Sequence, residues 1–253
     1  MILLIFEGVE REPHIYRTME KLYFPRANDN IICSFGNNIY ELYKEMTDFD
    51  GDGDIVSIMR ERLALRGDSI LDGIRSSDVS EIFLFFDYDF QIPDFTLEEV
   101  NERVKKMLEL FTDETGAGKL YINYPMIESI RHTKELPDEE FINYVATREE
   151  CKDYKHLVGD FSYYDSFDHI LFRDNEKPTR EKYHKIADNW QYLQVMNVTK
   201  ANYLITGQNT MPPRKSLINQ QEIFIAQKRR YVDINESVAV LNSFPIFIYE
   251  YLK

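Results

Sequence analysis

Three groups of acidic residues stand where they could do phosphate chemistry. Glu7-Gly8 follows an opening apolar run, Asp87-Tyr88-Asp89 follows a second such run, and Glu128 comes soon after a third. Asp87 and Asp89 have period-2 spacing, which points both side chains one way if a strand persists through them. Carboxylates gathered at close range raise one another's pKa, and a hard divalent cation removes the repulsion. Donors that are all oxygen suit Mg²⁺ or Mn²⁺ better than zinc. Such an ion, held by a few carboxylates and by substrate phosphate oxygens, activates water for phosphodiester cleavage. Taken one at a time, each acid is also explained as a strand-end cap or a solvated loop residue.

For these acids to meet, the elements carrying them must converge. Residues 2–6 and 81–86 are continuous apolar runs of strand length, the pattern of strands covered on both faces. Residues 31–35 and 120–124 read as two more strands. Helical patterns cover 13–23, 37–46, 55–65 and 96–111. In the last of these, Thr96 and Glu99 have capping-box spacing, and Leu97, Val100, Val104, Met107, Leu108 and Phe111 share one face. Pro125 is expected to open another helix, with Glu128 in its first turn and Glu128 and His132 at i, i+4. Strands alternating with helices imply parallel βαβ units with right-handed crossovers, a Rossmann-type α/β sheet flanked by helices. Ligand sites in such sheets form outside the carboxyl ends of the strands, where all three acidic groups fall. Beyond about residue 131 the pattern turns mainly helical, with 179–204 the longest stretch and a final helical portion from Ser216. The expected division is a catalytic domain over 1–135 and a mainly helical region over 136–253.

Composition narrows the functional classes. The chain has 253 residues, 30 basic against 44 acidic, for a net charge of −14. With 43% hydrophobic and 14% aromatic residues and only 10 Gly and 9 Pro, it reads as a folded globular protein. No stretch approaches the ~18 apolar residues of a membrane span, and the opening run has no positive region before it, so a cytoplasmic location and no membrane partner are expected. Cys33 and Cys151 cannot make a disulfide framework or a zinc site alone. Nonspecific duplex binding draws its energy from a basic face, which disfavours it at this charge. Local basic stretches remain: Arg214-Lys215 and Lys228-Arg229-Arg230-Tyr231. Lys228, Arg229 and Arg230, with Arg131 and His132, are candidate nucleic-acid contacts; solvated cations at a helix end are the favoured explanation of the basic stretches, and an intrahelical charge pair explains Glu128 and His132 equally well. The aromatic cluster Phe161-Ser162-Tyr163-Tyr164 is a candidate partner surface.

Other chemistries find little footing. Asp48-Phe49-Asp50-Gly51-Asp52-Gly53-Asp54 is like the first half of an EF-hand loop, but the position needing a bidentate acid is Met59. His14, His156, His169 and His184 have no zinc-hydrolase spacing, and His156 and His169 read as surface or packing residues. There is no GxSxG, P-loop or GxGxxG, which disfavours a serine hydrolase, an ATPase and a dinucleotide enzyme.

Phe6-Glu7-Gly8 after the opening strand and Phe85-Phe86-Asp87-Tyr88-Asp89 after the later one resemble the Toprim domain of topoisomerases, DnaG-type primases and overcoming-lysogenization-defect (OLD) nucleases. The resemblance is closer to small bacterial Toprim-like proteins of the RloB and DUF4435 kind. These include the effector of PARIS-type phage defence, which works beside an ABC-type ATPase. Ser34-Phe35-Gly36-Asn37-Asn38-Ile39-Tyr40-Glu41-Leu42-Tyr43 and Asn123-Tyr124-Pro125-Met126-Ile127-Glu128 are similar to segments of such proteins. The likeness covers about residues 1–135. It implies a Toprim-like catalytic domain and a Mg²⁺- or Mn²⁺-dependent endonuclease acting on DNA or RNA. Glu7 would be a metal ligand or general base, and Asp87 and Asp89 the metal-binding pair. It also implies an anti-phage defence role, as a toxic effector restrained by an ABC-type ATPase partner; a homo-oligomer stays open. Many OLD-like members carry a second acid four residues after the first glutamate, where this chain has Arg11 between Glu10 and Glu12. Glu128 is an addition from geometry alone. Two further readings stay open: a non-catalytic partner-binding protein with a vestigial site, and phosphoryl or nucleotidyl transfer on a small nucleotide.

Overall fold

Unbroken apolar runs that bury every residue need cover on both faces, and the topology supplies it. The computed structural model describes residues 1–24, 30–48, 54–173 and 177–251. In chain order its first half comprises β1 (Ile2–Phe6), α1 (Arg11–Tyr23), β2 (Asn30–Ser34), α2 (Ile39–Asp48), α3 (Ile55–Ala64), β3 (Glu81–Asp87), α4 (Leu97–Leu110), β4 (Thr112–Asp113) and β5 (Gly118–Asn123). The sheet order is β2-β1-β3-β5-β4, with the first four strands parallel and the short edge strand β4 antiparallel. The α/β reading of the sequence therefore holds.

From β1 the chain steps one way to β2, then crosses back over β1 to β3 and continues to β5. With right-handed crossovers, α1 lies on one face of the sheet and α2, α3 and α4 on the other. The second half adds β6 (Val145–Thr147), α5 (Tyr154–Phe161), α6 (Arg180–Thr206), α7 (Gln220–Gln227), the short helical turn α8 (Asp233–Asn235), β7 (Ser237–Ala239) and α9 (Ser243–Tyr251). β6 and β7 pair antiparallel as a small second sheet. Helix α9 lies on the α1 face of the main sheet: Phe244 stacks on Phe85 at 4.6 Å and Phe247 meets Phe83 at 5.1 Å. Phe24, just past α1, touches Phe247 and Tyr251. Aromatic contacts of this kind each add about 0.5–1.5 kcal/mol beyond the area they bury. Long helix α6, with Trp190 buried and its indole N–H on the Ile170 carbonyl at 2.8 Å, packs on α9.

Two expectations about elements are corrected. Pro125 opens no α-helix; a short 3₁₀ turn, Ile127–Arg131, follows it. Residues 132–173 are less helical than expected. They are built from 3₁₀ turns at Glu139–Asn143 and Glu150–Asp153, the β6 strand and one short helix, α5. Side-chain hydrogen bonds hold these turns; Asp138, for example, accepts from the backbone N–H groups of Lys134 and Glu140. Periodicity does not register such local bonding. The capping box at Thr96 and Glu99 forms as expected. Residues 49–53 of the EF-hand-like segment lie outside the described residues; Asp54 caps the N-terminus of α3. Among the described residues no helix is long and apolar enough to cross a membrane.

Candidate active site

The strand order reverses between β1 and β3, and in open α/β sheets the crevice at such a switch point is the natural ligand site. Glu7 is the first residue past β1 and Asp87 the last of β3. The Glu7 carboxylate reaches across the switch point to accept the backbone N–H of Asp87 at 3.0 Å, joining residues 80 apart in sequence. Asp87 in turn accepts from the Asn123 amide at 2.9 Å. The Asn123 oxygen is taken by the backbone N–H and the hydroxyl of Ser243, at 3.0 and 2.8 Å. That fixes which end of the Asn123 amide faces Asp87, so the start of α9 helps orient the carboxylate.

Asp87 and Asp89 do share the cleft, but not by continuing the strand. β3 ends at Asp87, and Asp89 turns the chain through a left-handed conformation, φ 43°. Aspartate tolerates that region better than most residues. Gln91 holds one oxygen of Asp89 at 2.9 Å. Glu128 arrives from the 3₁₀ turn, ion-paired with Arg11 and 3.7 Å from the Lys155 ammonium. Its second oxygen is buried without a hydrogen bond.

Glu7, Asp87, Asp89 and Glu128 therefore line one cleft of about 870 Å³, floored by acids and rimmed by Arg11, Lys152 and Lys155. His14 and His156 also reach it. Glu10, Asp153 and Glu12 also line the cleft, and of these Glu12, a residue the sequence does not single out, is buried. It sits in the first turn of α1, accepts the Gly8 N–H at 2.9 Å and is buried. The only sequence signal for it was an acid five residues after Glu7. Gly8 explains the geometry: a Cβ there would fall 2.7 Å from a Glu12 carboxylate oxygen.

Burial, and then the neighbouring carboxylates, push the Glu7 and Asp87 carboxyls well above the ordinary range. Burial also raises Asp89 and Glu12. Such groups retain protons until a cation takes their place. Among the described residues no three His, Cys, Asp or Glu side chains are grouped so that they could hold a metal ion. The donor chemistry nevertheless fits Mg²⁺ or Mn²⁺. Glu7, Asp87, Asp89 and Glu128 each commit one oxygen to a protein donor, and the second Glu128 oxygen is buried without a hydrogen bond among the described residues. Mg²⁺ is commonly held by one or two carboxylates with water and substrate phosphate rather than by an all-protein cage.

The other expected contacts lie elsewhere. His132 is buried rather than exposed to phosphate: its Nδ1 lies 2.8 Å from the Tyr154 hydroxyl, and Tyr144 and Phe161 pack against the ring. The 3₁₀ turn, not an α-helix, carries it away from Glu128. Arg131 stacks on Phe167 beside the cleft, 5.4 Å from the ring centroid. Lys228 pairs with Asp233 at 2.8 Å, and Arg230 donates to the Tyr203 and Leu204 carbonyls near the end of α6. Arg229 lines a separate groove between α4 and α7. These three cations do not border the carboxylates. Cys151 touches the cleft with its thiol pushed up by burial.

The fold and site define an α/β protein with a carboxylate-floored cleft at the switch point of a parallel sheet. Compared with models of protein families, with curated proteins and with solved structures, the chain matches none.

Proposed function

We propose that the chain is a Mg²⁺- or Mn²⁺-dependent nuclease of the Toprim kind, cleaving phosphodiester bonds in nucleic acid. The observation that carries this reading is the Glu7 carboxylate on the Asp87 backbone N–H, which sets acids from two strands side by side at the switch point. Glu7, Asp87 and Asp89 would draw together to hold the ion, with Glu128 completing the shell. A bound ion supplies Lewis acidity to the phosphate and acidifies a water molecule. The protein's own part is to orient and to move protons. Gln91 and Asn123 fix the carboxylate planes. Glu7 is the carboxylate placed to take the proton of the attacking water if Asp87 and Asp89 hold the ion without it. Arg11 and Lys155 offer positive charge to the phosphate oxygens at the rim.

The test is incubation of the purified chain with labelled DNA and RNA, with and without Mn²⁺. Cleavage is expected only with the ion, and Glu7→Gln and Asp87→Asn should each reduce it by about 100-fold or more. Cleavage that survives both substitutions overturns the assignment. With the Toprim resemblance comes the proposal of an anti-phage role beside an ABC-type ATPase. It requires that wild type, and not Asp87→Asn, arrest growth of a bacterial host when freed of the partner.

A further inference from the structure

Resting on the nuclease reading, we infer that the surface running from the carboxylate cleft across Phe167 to Tyr163 is a track for single-stranded nucleic acid. Phe167 forms part of the cleft wall, and its ring is met by two guanidiniums, Arg11 at 4.7 Å and Arg131 at 5.4 Å. The same loop then lines a second cleft of about 430 Å³, facing Lys185 of α6. Tyr163 there is 70% exposed. Next to it the Tyr164 and His169 rings stack, with centroids 3.7 Å apart and planes 4° from parallel.

His169 lines the second cleft with its ring tied to the loop. Its Nδ1 lies 2.9 Å from the Ser166 carbonyl, which can only accept, so the ring proton is on Nδ1. Nε2 is left as an acceptor, enclosed and without a hydrogen bond. Cations alternating with aromatic faces are what an unpaired strand needs, because each exposed base presents a face for stacking. A duplex hides those faces and would rely on phosphate neutralisation, which a chain of net charge −14 opposes. Among the acids at the second cleft, Asp168 is matched by Arg173 at 3.3 Å. Asp165 is the acid that opposes the track.

Binding separates this inference from the reading beneath it when measured without cleavage. Fluorescence anisotropy of short labelled oligothymidylate, oligouridylate and a blunt duplex, in EDTA, should show both single strands bound more tightly than the duplex. Tyr163→Ala and Lys185→Glu, both at exposed positions, should each weaken single-strand binding by about 5-fold or more. Lys185→Glu should also make the log–log salt dependence shallower by about 0.7. Asp165→Asn should tighten it. Equal binding of the duplex, or single-strand binding unchanged in both Tyr163→Ala and Lys185→Glu, overturns the track. If these results hold but no ion-dependent cleavage is found, the nuclease reading falls and the track stands. If cleavage holds while the variants bind like wild type, the track alone falls.

Discussion

Asp89 occupies a conformation that few side chains tolerate, at the point where the chain leaves β3 for the cleft. Asparagine accepts the left-handed region about as well as aspartate, and a β-branched residue does not. Asp89→Asn should therefore fold like wild type while binding Mn²⁺ at least 10-fold more weakly, read by titration. Asp89→Val should cost about 1–3 kcal/mol of stability, read by urea unfolding. The raised carboxyls make a second prediction at this scale. Glu7, Asp87, Asp89 and Glu12 hold protons more tightly folded than unfolded. Their contribution to stability is full below the ordinary carboxylate range and is lost as pH rises through their elevated values. Without metal, the melting temperature should fall as pH rises from the ordinary carboxylate range through these elevated values. The stabilisation given by Mn²⁺ should grow over the same interval, because the ion competes with those protons. Asp87→Asn should flatten both trends; unchanged slopes would falsify the coupling among the acids.

At the level of elements, the β1–α1 junction does most to shape the site. Gly8 leaves room for the Glu12 carboxylate, so Gly8→Ala should displace that flexible side chain. The expected result is weaker Mn²⁺ binding with a melting temperature close to wild type; intact binding would show that Glu12 has no part in the site. Strands β1, β3 and β5 were legible from their unbroken apolar runs, and α4 from its capping box and apolar face. The acids Glu7, Asp87 and Asp89 were legible because switch-point logic locates ligands at strand ends. What escaped the sequence has physical reasons. Pro125 is compatible with a helix start, yet the chain after it makes only a 3₁₀ turn, and that separates His132 from Glu128. The basic rim of Lys152 and Lys155 comes from the 3₁₀ turn and α5, whose placement depends on tertiary contacts. Lys228 and Arg230 looked free in sequence because their partners, Asp233 and the α6 carbonyls, are set by the fold.

For the molecule as a whole, α9 completes the cover of a sheet built from the first half of the chain. α9 covers the aromatic face of β1, β3 and β5, and through Ser243 and Asn123 it reaches the Asp87 carboxylate. The carboxylate floor is thus braced by residues from both ends of the chain, while the cations stay at the rim. The acidic floor opposes a phosphate in the reacting position over the carboxylates unless a neutralising ion lies beneath it, while the rim and the surface beyond it stay open to a strand. Anomalous scattering from a crystal soaked in Mn²⁺ tests this most directly. A peak is expected within coordination distance of oxygens from Glu7, Asp87 and Asp89, absent from crystals of Asp87→Asn. A well-ordered cleft with no peak, or a peak only at sites remote from these three carboxylates, would contradict it.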